Sequence, residues 1–134
     1  MIEVYRVIIN MPIAKHEVPD LREMVGWERR DKDYPMLFEK CVYWGGIRNE
    51  LDKLVAFAYV AGTGLQHGYL EDVNVHPAYQ QKGIGKVLVQ ALLEEGKNRG
   101  IEIITCTFSE DNKEFYKKCG FSLCHGGLWQ KNTK

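Results

Sequence analysis

Apolar residues recur at helical spacing over one long stretch of the chain. Ile84, Val87, Leu88, Ala91 and Leu92 fall at i, i+3, i+4, i+7 and i+8, while Lys86, Gln90, Glu94, Lys97 and Asn98 take the other face. The pattern predicts an amphipathic helix that stops at Gly100, with Lys97 and Arg99 in the last turn, where cations suit the macrodipole. Elsewhere the pattern favours strands. Residues 2–9 are rich in β-branched side chains and predict a first strand, broken by Asn10-Met11-Pro12. Pro19-Asp20-Leu21 opens a helix carrying Leu21, Met24 and Val25, which fades around Gly26-Trp27. Residues 41–48 and 53–61 predict strands two and three across a hairpin turn at Asn49-Glu50-Leu51-Asp52. After the glycine-rich connection 62–68, residues 69–76 predict a fourth strand stopped by Pro77, and residues 101–108 a fifth.

The C-terminal part reads as a short helix and a last pair of strands. Asp111 and Glu114 have capping-box spacing and Gly120 suits the C′ position, so residues 111–119 predict a helix of about two turns. Phe115 and Cys119 should face the core, with Tyr116 rotated by about 100°. Residues 121–130 supply the last strands, turning at Gly126-Gly127. Three strands joined by turns, then strand-helix-strand, predict a mixed α/β sheet whose fourth and fifth strands are parallel.

Composition narrows the function. With 134 residues the chain forms one domain, and its formal net charge of zero produces no global field for nucleic acid or an anionic membrane. No apolar run is long enough to span a bilayer and no charged-then-apolar leader opens the chain, so a cytoplasmic protein is expected. Cys41, Cys106, Cys119 and Cys124 lack paired-ligand spacing; reduced thiols and no metal are expected. The charged residues 28–33 read as a solvated linker, and the aromatics flanking them as either core or a cover over an acceptor site.

The stretch Val73-Asn74-Val75-His76-Pro77-Ala78-Tyr79-Gln80-Gln81-Lys82-Gly83-Ile84-Gly85-Lys86 carries the chemistry. A helix N-terminus presents backbone N–H groups without internal partners and a partial positive charge, and a loop that turns its amides inward completes an anion cradle. Gly83 and Gly85 are free to adopt positive φ and let a diphosphate approach, with Gln80 and Lys82 at the rim. The spacing fails the P-loop, which needs four residues between its glycines, and the dinucleotide fingerprint, which needs glycine where Leu88 stands.

The remaining pattern, Gln-x-x-Gly-x-Gly after a Val-x-Val-x-Pro strand, resembles the pyrophosphate-binding motif of the GNAT superfamily of acyl-CoA-dependent N-acetyltransferases. Phe115-Tyr116 followed by Gly120-Phe121 is similar to the same family downstream of its fifth strand. The resemblance covers residues 55–121 and implies a GNAT-type α/β fold: a central sheet of six or seven mostly antiparallel strands, flanked by helices, with the fourth and fifth parallel and splayed. It further implies that Val73, Asn74, Val75, Gln80, Gln81, Lys82, Gly83, Ile84, Gly85 and Lys86 hold acetyl-CoA. Backbone N–H groups near Val73 would polarise the acetyl carbonyl, and Tyr116 would protonate the departing thiolate. The family's asparagine seven residues before the tyrosine is Ser109 here, so Asn112 is carried over as a carrier contact.

Acyl transfer to an amine also needs the amine neutral, and a nearby carboxylate serves that need. Glu71 and Asp72 are adjacent on a strand and so are expected on opposite faces, with Asp72 favoured for the cleft by likeness to amino-sugar acetyltransferases. No cysteine has an adjacent acid–base partner that suggests an acyl-enzyme. The leading expectation is transfer to a primary amine of a small molecule by direct attack in a ternary complex. Two alternatives stay open: a non-catalytic acyl-CoA-binding module, and an acetyltransferase of protein lysines or N-termini. GNAT proteins are frequently dimers, and Leu128-Trp129 is placed either in a homodimer interface or in the core.

Overall fold

A computed structural model describes residues 5–132 of the chain. One sheet of five strands runs in the order β1-β2-β3-β4-β5, formed by Ile8–Ile9, Tyr43–Arg48, Leu54–Gly62, His67–Val75 and Ile103–Thr105. The first four pair antiparallel, and β4 pairs parallel with β5. The helices are α1 (Glu17–Met24), α2 (Met36–Lys40), α3 (Ile84–Asn98) and α4 (Lys113–Lys118). No helix among the described residues is long and apolar enough to cross a membrane.

Two apolar clusters sandwich the sheet. Ile84, Leu88, Val89 and Leu92 of α3 pack with Tyr43, Ile47, Ala58 and Val60 on one face. Val18 and Leu21 of α1 meet Tyr34, Leu54 and Phe57 on the other. Small residues let α3 lie close to β2: a Cβ on Gly96 would come within 2.8 Å of the Tyr43 hydroxyl, which donates to the Leu92 carbonyl at 2.6 Å. Val87, expected on the buried stripe, is exposed and Val89 is buried instead. At about 100° per residue the buried arc runs from Ile84 to Val89, and Val87 lies roughly 60° outside it.

Several expectations are corrected. Among the described residues the sheet has five strands rather than six or seven. Of the first strand expected over residues 2–9, the structure forms Ile8–Ile9, and residues 2–4 lie outside those described. Only Ile103–Thr105 of residues 101–108 is strand, and residues 121–130 form none. The edge strand β5 is only three residues long, and Gly126-Gly127 is costly to order in a strand. Trp129 is consequently 82% exposed rather than in the core. Asp111 does not form a capping box: it lies in a 3-10 turn over Glu110–Asn112, and α4 starts behind it without a side-chain cap. Of the aromatics after the charged linker, Phe38 lies in α2 and Tyr34 precedes it, and both enter the second core.

Candidate active site

Strands β4 and β5 stay together only from His67 to Tyr69, after which the sheet opens. The reason lies in β4 itself. Phe57 and Tyr59, two residues apart on β3, pair with Asn74 and Glu71, three apart on β4. The extra residue makes a β-bulge, and Asp72 takes it up at φ +56°. A bulge increases the local twist and turns β4 away from its neighbour.

The opening holds a cleft of about 640 Å³. Val73, Asn74 and Val75 form one wall, and Asn112, Phe115 and Tyr116 form the opposite one. Gln80, Gln81 and Gly85 close one end at the α3 N-terminus, and Val25 and Trp27 reach over from the end of α1. The Gln80 side chain donates to the Val75 carbonyl at 2.9 Å and ties the loop to the strand. Gln81 at φ +64° and Gly83 at φ +78° turn the loop backbone inward, as an anion cradle requires. Gly85 departs from expectation. It is an ordinary helical residue, and its missing side chain matters because a Cβ would stand 3.1 Å from the Phe115 ring. Ile84 is buried in the core, Lys82, Gly83 and Lys86 are exposed, and all four lie outside the lining.

Tyr116 is 8% exposed. Its ring stacks on Phe108 with centroids 4.8 Å apart and meets Phe115 and Phe121 edge-on. The hydroxyl makes no hydrogen bond among the described residues and is not sealed from solvent. Burial raises its pKa well above the ordinary phenol value, so it stays protonated. Burial also pushes the nearby Cys106 thiol up to about 11, away from a reactive thiolate.

The bulge overturns the expectation that Glu71 and Asp72 face opposite ways. Glu71 accepts from the Tyr59 hydroxyl at 2.7 Å, and Asp72 accepts from the Tyr34 hydroxyl at 2.7 Å, on the face covered by α1 and α2. Both oxygens of Asp72 are engaged, since Oδ1 pairs with Arg22 at 2.8 Å. Glu71 Oε1 makes no hydrogen bond among the described residues. Neither carboxylate is among the residues that line the cleft. Arg22 also donates to the Glu28 carbonyl and lies over the Trp27 ring, so one guanidinium joins the bulge to the cover of the cleft. Sequence reasoning missed Val25 and Lys118 as lining residues and assigned Phe115 to the core, while Trp27, one of the aromatics read as either core or cover, lines the cleft; helical and charged patterns carry no mark of a cleft built from segments far apart in the chain. Two histidines lie near this region, and both are engaged: His76 accepts from the Ala78 N–H in the loop, and His67 bonds Thr105 across the strands.

The model of the acetyltransferase (GNAT) family matches residues 10–121. An uncharacterized N-acetyltransferase ycf52 of Pyropia yezoensis is 30% identical over 116 residues, 84% of this chain and 67% of that protein. A ycf52-like relative from Prochlorococcus marinus is 28% identical over 80% of this chain and 62% of its own length. The chain thus spans about two thirds of these curated relatives. Glucosamine 6-phosphate N-acetyltransferase of Schizosaccharomyces pombe is 36% identical over 64 residues, 48% of this chain and 57% of that one. The crystal structure of glucosamine-6-phosphate N-acetyltransferase from Arabidopsis thaliana superposes with a TM-score of 0.79, covering 98% of this chain and 100% of that one at 21% identity. At that identity the likeness is one of fold.

Proposed function

The chain belongs to the acetyltransferase (GNAT) family, and from that premise we propose that it is an N-acetyltransferase moving an acetyl group from acetyl-CoA to the primary amine of a small molecule. One observation carries this reading: the edge of β4 vacated by β5 runs between the inward-turned loop before α3 and the unpaired hydroxyl of Tyr116. An extended pantetheine arm adds to such an edge as another strand would, and a diphosphate suits the amides of the loop. The left-handed backbone at Gln81 and Gly83 fits that group.

Acetyl-CoA supplies an activated thioester and a thiol leaving group. A primary amine with a pKa near 10.4 costs roughly 4–5 kcal/mol to neutralise at pH 7, and Glu71, which lies outside the cleft lining but keeps Oε1 free among the described residues, takes that proton through water. Asp72 is too fully engaged for the same task and holds the bulge instead. The N–H of Val73 stabilises the negative oxygen that develops as the amine nitrogen bonds to the carbonyl carbon. Tyr116 then gives its proton to sulfur as the carbon–sulfur bond breaks, leaving an amide and a free thiol. Glu71→Gln keeps the hydrogen bond from Tyr59 and removes the base, and is expected to lower kcat about 10-fold in steady-state kinetics with little change in melting temperature.

The reading is tested by mixing the protein with acetyl-CoA and a panel of small primary amines and following free thiol. Amine-dependent release is expected. Tight acetyl-CoA binding with no such release would leave only a binding module. The cradle is tested separately by calorimetry on Gly83→Val/Gly85→Val. A β-branched residue at the φ of +78° of Gly83 is strained by about 1–2 kcal/mol, and a side chain at Gly85 drives against Phe115. The acetyl-CoA dissociation constant should rise by about 10-fold or more. An unchanged constant would remove the loop from the binding site.

A further inference from the structure

Along β4 the peptide groups alternate between its two edges. The His76 N–H donates to the Val55 carbonyl of β3 at 2.8 Å, so Val75 and Val73 turn their N–H and C=O groups to the opposite edge. The Val75 carbonyl confirms the direction by accepting from Gln80 at the cleft. The Val73 N–H therefore points to the edge that β5 has left. At this point the ladder is also interrupted on the other side, because the bulge leaves Asp72 and Val73 without assigned partners on β3. Neither residue flanking the peptide between Asp72 and Val73 has a register partner on β3, and β5 pairs no further than Tyr69.

We infer that Asn74 is a positioning residue that aims the Val73 N–H at the reacting carbonyl by holding the other end of the same peptide; this rests on the acetyl-transfer reading above. The Asn74 Nδ2 donates to the Asp72 carbonyl at 2.9 Å. In a planar trans peptide the C=O and the following N–H point in opposite directions, so anchoring one sets the aim of the other. The Asp72 side chain is fixed independently by Arg22 and Tyr34, which leaves Asn74 to set the peptide plane.

The residue type supports the assignment. Asn74 is 4% exposed and stands opposite Phe57 in a strand with valines on either side. Its Oδ1 is buried with no hydrogen-bond partner. A half-satisfied buried amide is less favourable for stability than an apolar side chain of the same size. The one hydrogen bond that the asparagine side chain makes goes to the carbonyl whose orientation the chemistry needs.

The test compares the wild type with Asn74→Leu, which keeps the volume and removes the donor, by following backbone amide resonances as acetyl-CoA is added. In the wild type the Val73 amide proton should move downfield together with the Gly83 and Gly85 amides. In Asn74→Leu the Val73 shift should fall below about half while the two glycine shifts persist, and kcat should drop about 10-fold with the acetyl-CoA KM nearly unchanged. Asn74→Ala, smaller and also without the donor, should repeat the pattern if Asn74→Leu fails to fold. A full Val73 shift and full kcat in a folded variant overturn the positioning role and leave the acetyl-transfer reading intact. A merely structural role would instead lower the melting temperature and disturb all three amides, which also overturns the proposal. If the wild-type Val73 amide does not respond while the glycine amides do, the oxyanion reading itself fails and the role of Asn74 fails with it.

Discussion

Tyr116→Phe is expected to lower kcat by about 100-fold or more while acetyl-CoA binds within about threefold of its wild-type affinity. The substitution is clean because the ring does the packing. Its stacking on Phe108 and its edge contacts with Phe115 and Phe121 survive in phenylalanine, and the hydroxyl has no hydrogen bond among the described residues to lose. Stability should therefore stay level, and the whole deficit should appear in the rate. The pH profile adds an independent check. An acid works in its protonated form, and burial raises the pKa of this phenol, so the protonated form persists to higher pH than in free tyrosine. Wild-type kcat should show no alkaline fall from this group below the ordinary phenol pKa of about 10. Steady-state kinetics decide the point. A loss of less than about threefold in Tyr116→Phe removes the tyrosine from the proton transfer.

The second large effect falls on stability. Asp72→Ala is expected to destabilise the protein by about 3 kcal/mol, lowering the melting temperature by roughly 10 °C in calorimetry or thermal melts. The Arg22 and Asp72 side chains are only 11% and 18% exposed, so removing the carboxylate leaves a largely desolvated guanidinium. Arg22 would keep the Glu28 carbonyl and the Trp27 ring, neither of which carries a full negative charge. The buried Tyr34 hydroxyl loses its acceptor as well. Removing the charge on both sides, as in Arg22→Met/Asp72→Ala, should cost less than the sum of the single changes, because no orphaned ion remains. A single Asp72→Ala that melts within about 2 °C of wild type would show that the pair does not hold the bulge.

These two residues mark the limit of what the amino-acid order discloses. Tyr116 was legible because a Phe-Tyr pair four residues before Gly120 sits on a short helix whose spacing can be read locally. The loop before α3 was legible for the same reason: stop, loop and amphipathic helix are consecutive in the chain. Asp72 was legible only as a carboxylate near the site. Its face was misassigned, since strict alternation along a strand fails where one residue is inserted into the pairing. The insertion is invisible without the partner strand, because nothing in Glu71-Asp72-Val73 forbids regular pairing. Asn74 likewise appears in sequence only as one of the carrier contacts that the resemblance implies, and its hydrogen bond to the bulge carbonyl is visible only in the fold.

What the sequence determined by itself, then, is the succession β2-β3-β4-α3-β5-α4, the parallel pairing of β4 with β5, and the loop and helix that follow β4. Each depends on hydrophobic period, turn residues and backbone freedom within a few positions of one another. The tertiary structure alone decided which side of the sheet receives the two carboxylates, that Trp27 covers the cleft, and that residues 121–130 find no strand to join. Those outcomes rest on contacts between segments far apart in the chain. Arg22 meets Asp72 and Phe57 meets Asn74 only once the sheet has closed and the helix before it has packed down.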